Sequence, residues 1–202
     1  MKPDCSVLSK KDYEVYEVPF RVARSLVQNY HYSKGGSNTA TYAHGLFRKG
    51  TIECLGVAWW IPPTKDCAIN SYPGGDWKKV LSLSRLVVVP DVPQNGASFL
   101  MGKSIRMIEK DHRFECLVTY GDTWRGHTGA IYKATNWEYL GLTKHQPVWV
   151  DQTGRMVARK AGPKTRNKQQ MIDLGYSLLG SFPKHKYRII LPKICVASES
   201  NS

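Results

Sequence analysis

The chain has few acidic residues and no long apolar segment, and both shortages narrow what it can be. Its 202 residues include 16 Asp and Glu against 29 Lys and Arg, giving a formal net charge of +13 at pH 7. Because no run of about 18 apolar residues occurs, the sequence predicts no membrane-spanning helix. The opening residues, MKPDCS, contain no apolar signal core, so we expect an intracellular, cytoplasmic protein that does not bind membranes.

Cysteines are also few. The five lie at positions 5, 54, 67, 116 and 195, without CxxC spacing. An odd number without close pairs favours reduced, mostly buried thiols over a disulfide framework or a zinc site. No internal repeat or low-complexity tract occurs, and only residues 197–202 are predicted to form a disordered tail. A monomer and a dimer are both compatible with this composition.

Positive charge is concentrated toward the C-terminal end. Ten basic residues and a single acid, Asp173, lie between Arg155 and Lys193. Such a stretch can be an ordinary solvated face, but the imbalance and the neighbouring aromatic residues favour phosphate binding. We therefore expect nucleic acid as a partner, contacted by Lys160, Lys164, Arg166, Lys168, Lys184, Lys186 and Arg188.

Hydrophobic periodicity and turn residues predict a mixed α/β fold. Strands 39–48 and 51–60 are expected to form a hairpin at Lys49-Gly50, and residues 64–79 are expected to form a loop. The other predicted elements are helix 17–30, strand 81–89, helix 97–110, strand 113–120, helix 128–136, strands 148–151 and 155–159, helix 169–174 and strand 187–191.

The strand–helix–strand order implies that strands 81–89 and 113–120 are parallel neighbours. Ligands of such sheets bind beyond the carboxyl ends of the strands, where neighbouring strands separate. The polar segment TYGDTWRGH, starting at Thr119, lies at that place and leads into the predicted helix 128–136. This arrangement is suited to chemistry at the strand end, although an ordinary strand–turn–helix unit with a polar turn has the same pattern.

This order of elements resembles the Gcn5-related N-acetyltransferase fold. In that fold the turn before the helix holds the pyrophosphate of acyl-CoA, and here the turn is PQNGAS, with Gln94, Asn95, Gly96 and Ser98 as candidate contacts. The usual Arg/Gln-x-x-Gly-x-Gly/Ala pattern is altered in spacing and lacks its second glycine. A helix N-terminus can still hold an anion. The resemblance implies an acyl-CoA donor, and the departure leaves a glycine-derived donor as an alternative.

Four segments resemble the phage Mom family, a divergent branch of that fold. They are YHYS from Tyr30, LSRL from Leu83, NGAS from Asn95 and YGDTWRGHTGAIYKATNW from Tyr120. The resemblance implies a bacteriophage enzyme that converts the N6 of adenine in DNA to a carbamoylmethylated amine and so blocks host restriction. With it we expect a single acetyltransferase-like domain over residues 1–196, with a core at about 15–145 and a basic C-terminal extension at 146–196.

Chemistry at adenine N6 needs a hydrogen-bond acceptor beside the amine, because its lone pair is delocalised into the ring. Asp122 is the candidate acceptor, or else the cap of the helix expected near Thr128. His127 is a candidate base, a group that orients a carboxylate, or a donor to a turn carbonyl. His31, followed by Tyr32, is expected either to line the pocket or to cap the preceding helix through its dipole.

Arg85 interrupts an apolar strand, so it needs either a carboxylate partner or substrate. In the wider acetyltransferase fold a tyrosine at the position of Tyr132 often acts as general acid; here it serves either that role or core packing. The Mom resemblance also implies iron, for which His31, Tyr32 and Asp122 are the candidate ligands. Trp59 and Trp60 point to opposite faces of their strand, which favours core positions.

Two other functions are compatible with these residues. One is an acyl-CoA-dependent N-acyltransferase acting on a protein, a polyamine or a tRNA amine, against which the altered pyrophosphate turn counts. The other is a DNA-binding protein without catalysis, against which the polar cluster at 120–127 counts.

Overall fold

The computed structural model describes residues 7–161 and 164–192. Lys193 and the predicted tail at 197–202 lie outside these ranges. In chain order the elements are β1 (Tyr13–Glu17), α1 (Phe20–Tyr30), β2 (Tyr42–Arg48), β3 (Cys54–Ile61), α2 (Lys65–Ser71), β4 (Val80–Val88), α3 (Gly96–Asp111), β5 (Cys116–Asp122), α4 (Ala130–Lys133), β6 (Glu138–Leu142), β7 (Gln146–Val150), β8 (Met156–Val157), β9 (Lys160–Ala161), β10 (Lys164–Thr165), α5 (Lys168–Asp173), β11 (Ser177–Phe182) and β12 (Lys184–Ile190).

Within the described ranges, the main sheet has seven strands in the order β1-β2-β3-β4-β5-β12-β6. The predicted hairpin, β2–β3, is confirmed, and so is the predicted parallel pair, β4–β5. A second sheet has the order β11-β7-β8, and β9 pairs with β10. Because β12 pairs with both β5 and β6, the core includes residues well beyond the expected boundary at 145.

Side-chain alternation along β3 divides the core between the two faces of the main sheet. Trp60 and Ala58 pack with residues of α3 on one face. Trp59 and Val57 pack with residues of α1 on the other. The expectation that both tryptophans are core residues is therefore confirmed, since each is at most 1% exposed.

The parallel pair separates part-way along its length. Pairing between β4 and β5 runs from Val80–Cys116 to Leu83–Thr119 and ends there, while the strands continue to Val88 and Asp122. On its other side β4 is irregular, because Trp59 pairs with Arg85 and Trp60 with Leu83, which leaves Ser84 as an extra residue. Such a bulge bends the strand, and a gap opens between β4 and β5.

Three expectations about elements were wrong. The predicted loop at 64–79 contains α2 and a 3₁₀ turn, Trp77–Lys79, because a seven-residue helix is too short to display helical periodicity. The helix predicted over 128–136 has only four residues, Ala130–Lys133. The first helix begins at Phe20 rather than Glu17, after Pro19, and residues 13–17 form β1 instead. Every helix in the described part of the chain is too short or too polar to cross a bilayer.

Candidate active site

A cavity of about 540 Å³ occupies the gap between β4 and β5. One wall is the part of β4 beyond its pairing with β5, from Ser84 to Val88, and another is the end of β5, from Tyr120 to Asp122. The turn after α1 and the segment from His127 to Tyr132 close the other sides. The cavity thus lies where the sequence placed the chemistry, at the carboxyl ends of the parallel strands.

Asp122 is the acidic group in this cavity, and its carboxylate is held from two sides. Its Oδ2 accepts a hydrogen bond from the Tyr32 hydroxyl, and its Oδ1 forms an ion pair of 2.9 Å with Lys184 Nζ. The side chain makes no helix-capping bond, which excludes the alternative role considered for it. Asp122 is 5% exposed, so the two partners offset the cost of burying its charge.

These partners also control the ionisation of Asp122. Burial raises the pKa of the carboxyl, but Lys184 and the Tyr32 hydroxyl lower it by more, so the pKa of Asp122 lies below its ordinary value. Asp122 is therefore ionised at neutral pH and acts as a hydrogen-bond acceptor. Burial and the bond to Asp122 both raise the pKa of Tyr32, so its phenol stays protonated.

His31 and Tyr32 reach the cavity on the turn that follows α1. Their rings are tilted against each other with centroids 4.3 Å apart, and the Arg125 guanidinium lies 4.9 Å from the Tyr32 ring centroid. Burial and the nearby Arg85 lower the pKa of His31 to about 4. The main-chain N–H of Ser33 donates to His31 Nδ1 at 3.2 Å, so the proton of the neutral ring lies on Nε2.

Arg85 lines the cavity from β4, and its structural partners are main-chain carbonyls. Its Nε donates to Gly35 O at 2.7 Å and its Nη1 to Ser84 O at 2.6 Å. Burial lowers the pKa of Arg85, while the negative charge of Asp122 opposes this shift. The guanidinium therefore supplies positive charge beside the cavity without a carboxylate bound to it directly.

Tyr132 and His127 line the far side. Tyr132 packs against the Tyr187 ring at 4.6 Å between centroids, and Thr119 Oγ1 lies 3.5 Å from its hydroxyl. Burial raises the pKa of Tyr132, which keeps its proton available. The exposed His127 ring lies 5.9 Å from the Tyr32 ring. The six predicted catalytic residues therefore surround one cavity.

The expected iron site is not supported. Residues 7–161 and 164–192 contain no group of three or more His, Cys, Asp and Glu side chains able to hold a metal. Tyr32 is a poor ligand because a metal-bound tyrosine is deprotonated, whereas burial and Asp122 raise its pKa.

The predicted pyrophosphate turn could contact a ligand through its main chain more readily than through its side chains. Asn95 Oδ1 accepts from Leu8 N at 2.6 Å, and Ser98 Oγ donates to Asn95 O. A Cβ on Gly96 would lie 2.1 Å from Val92 Cγ1, so the glycine is needed for packing, and Gln94 is exposed. Ala97, in the first turn of α3, is the residue here that lines the cavity.

Three of the predicted DNA contacts lie on β12 and have partners within the protein, and Arg166, outside that strand, donates from Nη1 to Ala158 O at 3.5 Å. Besides Lys184, which pairs with Asp122, Lys186 Nζ donates to Asn70 O. Arg188 binds Glu138 and the main-chain oxygen of Ser71. The other four predicted contacts lie around β9, β10 and the start of α5; Lys160, Lys164 and Lys168 are exposed and Arg166 is half-buried.

Sequence reasoning missed two site residues, Lys184 as the partner of Asp122 and Arg125 as the group stacked on Tyr32. Lys184 faces Asp122 directly in the β12–β5 register. That pairing joins strands about sixty residues apart in sequence, and no local pattern indicates it. The sequence shows that Arg125 follows Trp124. It does not show that the turn at residues 31–32 folds back onto Arg125.

The splayed parallel pair, with a cavity at its mouth and α3 beginning beside it, defines an N-acetyltransferase fold. Solved structures agree, each with low sequence identity. N-acetyltransferase from Staphylococcus aureus Mu50 matches with a TM-score of 0.53 and 11% identity, covering 90% of this chain and 99% of that one. Ribosomal-protein-S18-alanine N-acetyltransferase from Escherichia coli gives a TM-score of 0.52 and 11% identity, covering 94% and 99%.

Within that fold, the chain belongs to the Mom protein family, whose model matches residues 12–193. Methylcarbamoylase mom from Escherichia phage Mu is 24% identical over 138 residues, covering 65% of this chain and 54% of the relative. The chain therefore spans about half the length of this curated relative. The predicted family and fold are both confirmed.

Proposed function

We propose that this protein is a bacteriophage transferase that attaches a carbamoylmethyl group to N6 of adenine in double-stranded DNA. Family membership supports DNA modification, because the relative from phage Mu carries the name methylcarbamoylase. The observation that carries the proposal is Asp122, a buried and ionised carboxylate at the end of β5 inside the cavity. Such a group can accept a hydrogen bond from the adenine amine.

The residues around the cavity have complementary roles in this transfer. As N6 attacks the methylene carbon of the donor, the bond from that carbon to the leaving group breaks, and N6 loses a proton to Asp122, which Lys184 and Tyr32 hold in place. Tyr132 keeps its proton because burial raises its pKa, so it can protonate the leaving group. Arg85 and the neutral His31 stabilise negative charge that develops on the donor.

The fold supports a donor that is bound through coenzyme A. Spermidine N-acetyltransferase from Vibrio cholerae, solved in complex with CoA and spermine, matches with a TM-score of 0.51 and 8% identity, covering 90% of this chain and 96% of that one. The first turn of α3, with Ala97 at the cavity, offers main-chain N–H groups that lack helical partners and suit a pyrophosphate. A glycine-derived donor would use the same cavity without this turn.

The test is mass spectrometry of nucleosides from plasmid DNA after expression of the protein in a bacterium. The wild type is expected to yield carbamoylmethyl-adenine. Asp122→Asn should lower its amount about 100-fold or more, because it removes the proton acceptor. The matched control is Asp66→Asn, an exposed aspartate on α2 outside the cavity. Unmodified DNA from the wild type rejects the function, and full modification by Asp122→Asn rejects the role of Asp122.

A further inference from the structure

A second cavity, of about 440 Å³, is lined by Asp122 and Lys184, the two members of the buried ion pair. Its other walls come from the second sheet and from the turn after β5. They include three aromatic side chains, Trp124, Trp149 and Phe182, among aliphatic residues. None of the catalytic steps described above uses this cavity, except through its lining residue Asp122.

The position of Asp122 relates the two cavities to each other. Asp122 lines the cavity between β4 and β5 and also this aromatic cavity. A transferase must bring a donor and an acceptor together at one reacting point. Two cavities that share a carboxylate provide such a point, with one cavity for each reactant.

The walls of the aromatic cavity suit a flat ring with hydrogen-bond acceptors. Trp149 is only 3% exposed, and Trp124 lies half-buried on the opposite element. Their indole Nε1 atoms are buried and have no hydrogen-bond partner in the described ranges. An unpaired buried N–H is costly, and both of these groups belong to side chains that line the cavity.

Charge around this cavity points to nucleic acid. Arg159 lines it together with the Lys184–Asp122 ion pair, so the charged lining residues carry one net positive charge. The chain continues from Arg159 into Lys160, on the β9–β10 ribbon that also carries Lys164. These cations repel a polyamine but attract the phosphates beside a base. The exposed basic residues that were predicted to contact DNA therefore begin directly after Arg159, a lining residue of the aromatic cavity.

We propose that the aromatic cavity receives an adenine base extruded from duplex DNA. The base lies against Trp124 and Trp149 with its N6 directed toward Asp122, while the donor occupies the cavity between β4 and β5. This inference rests on the proposed function, and it names where the acceptor binds. Enzymes that act on a base in duplex DNA take it out of the stack and hold it between aromatic or apolar groups.

The test is a ratio of dissociation constants, which does not depend on catalysis. Two duplex libraries have one central adenine in randomised flanks, paired with thymine in one and placed opposite an abasic site in the other. The wild type is expected to bind the abasic-site library about 10-fold more tightly, because the cost of unpairing is absent. Charge contacts to phosphates contribute equally to both libraries and cancel in the ratio.

Two variants address the cavity itself. Trp124→Ala removes one stacking wall, and Ala158→Leu adds bulk at an exposed residue that lines the cavity. Both are expected to bring the ratio close to one while binding to the paired library changes little. Trp77→Ala, at a partly exposed tryptophan outside the cavity, should keep the wild-type ratio. Melting followed by circular dichroism identifies any variant that does not fold, and Ala158→Leu decides if Trp124→Ala fails.

A wild-type ratio near one overturns the proposal, and so does a ratio that both folded variants retain. Failure of the proposed function is distinguishable from either result. If plasmid adenine stays unmodified but the ratio is large and sensitive to Ala158→Leu, the cavity binds an extruded base and the assigned reaction is wrong. If adenine is modified but the ratio is one, the reaction stands and the acceptor binds elsewhere.

Discussion

At the scale of single residues, Lys184 has a different role from the one its sequence context indicates. It lies in a basic stretch, yet its ammonium group pairs with Asp122 at 2.9 Å beneath the cavity. An opposite charge at this distance favours the ionised carboxylate. We therefore propose that Lys184 acts on the reaction through Asp122, as a positioning residue, while its predicted contact with DNA stays a prediction.

Replacing Lys184 by Gln should consequently change the pH dependence of the reaction. Lys184 lowers the pKa of Asp122, so its removal raises that pKa. The acidic limb of kcat/KM, where Asp122 becomes protonated and cannot accept a proton, should move to higher pH. The measurement is kcat/KM against pH for the wild type and Lys184→Gln with the same DNA substrate.

The control is Lys186→Gln, which removes an equal charge from the same strand but from a lysine bound to Asn70 O. That variant should keep the wild-type acidic limb. If instead Lys184→Gln keeps the profile and reduces only the salt dependence of DNA binding, its role is a phosphate contact and the original prediction is right.

Residue types near a strand end could be predicted, but their partners could not. Asp122, His31, Tyr32, Arg85, His127 and Tyr132 were all recognisable as candidates, and all line one cavity. The Mom-like segments carried that information. Their mutual contacts depend on three-dimensional pairing, such as Tyr32 with Asp122 over ninety positions. For the same reason, the protein partners of Lys184, Lys186 and Arg188 could not be predicted.

At the scale of elements, α4 is shorter than its sequence indicates because of the conformation of Gly129. This residue has φ of 73°, in the left-handed region, so the helix begins only at Ala130. A Cβ at this position would also lie 1.8 Å from the Tyr187 hydroxyl. The glycine thus lets β12 and the start of α4 approach closely enough for Tyr132 to pack on Tyr187.

Gly129→Ala should destabilise the protein by about 2–5 kcal/mol. Left-handed strain contributes about 1–2 kcal/mol, and overpacking contributes about 1–3 kcal/mol. Gly126→Ala is the matched control, since Gly126 has φ of 71° but open space around its would-be Cβ. Gly126→Ala should lower the free energy of unfolding only by the contribution of left-handed strain. Denaturant unfolding of both variants measures the difference.

A second comparison isolates the contact itself. Adding Tyr187→Phe to Gly129→Ala removes the hydroxyl that the new Cβ would meet, so the double variant should regain part of the lost stability. Equal stability of Gly129→Ala and Gly126→Ala would contradict the close approach of α4 and β12.

Prediction succeeded for elements with strong patterns and failed for those held by neighbours. The β2–β3 hairpin and the parallel pair β4–β5 were predicted correctly because Lys49-Gly50 and the apolar run before Val89 are strong local signals. In contrast, β11 was missed. Its residues Leu178 and Leu179 are both exposed, so the strand lacks the alternation that marks a half-buried strand. Pairing with β7 defines it.

At the scale of the whole molecule, the basic residues that give the net charge of +13 differ in their surroundings. Basic side chains of β12 are bound to Asp122, Asn70 and Glu138 within the fold. Exposed cations remain on β9, β10 and the start of α5, in the segment that follows Arg159 of the aromatic cavity. Composition could indicate a polyanionic partner, but only the structure separates cations that stabilise the fold from those free to meet DNA.

Replacing Lys160, Lys164 and Lys168 together by Gln should therefore weaken DNA binding and its salt dependence. Each lost phosphate contact lowers the slope of log K against log salt by about 0.9, so the triple variant should lose about 2.7. The control triple is Lys10, Lys11 and Lys49, which are exposed but distant from the aromatic cavity. Titrations at several salt concentrations measure both slopes. Equal losses in the two triples would mean that DNA responds to net charge alone, and the face beside the aromatic cavity would not be its docking surface.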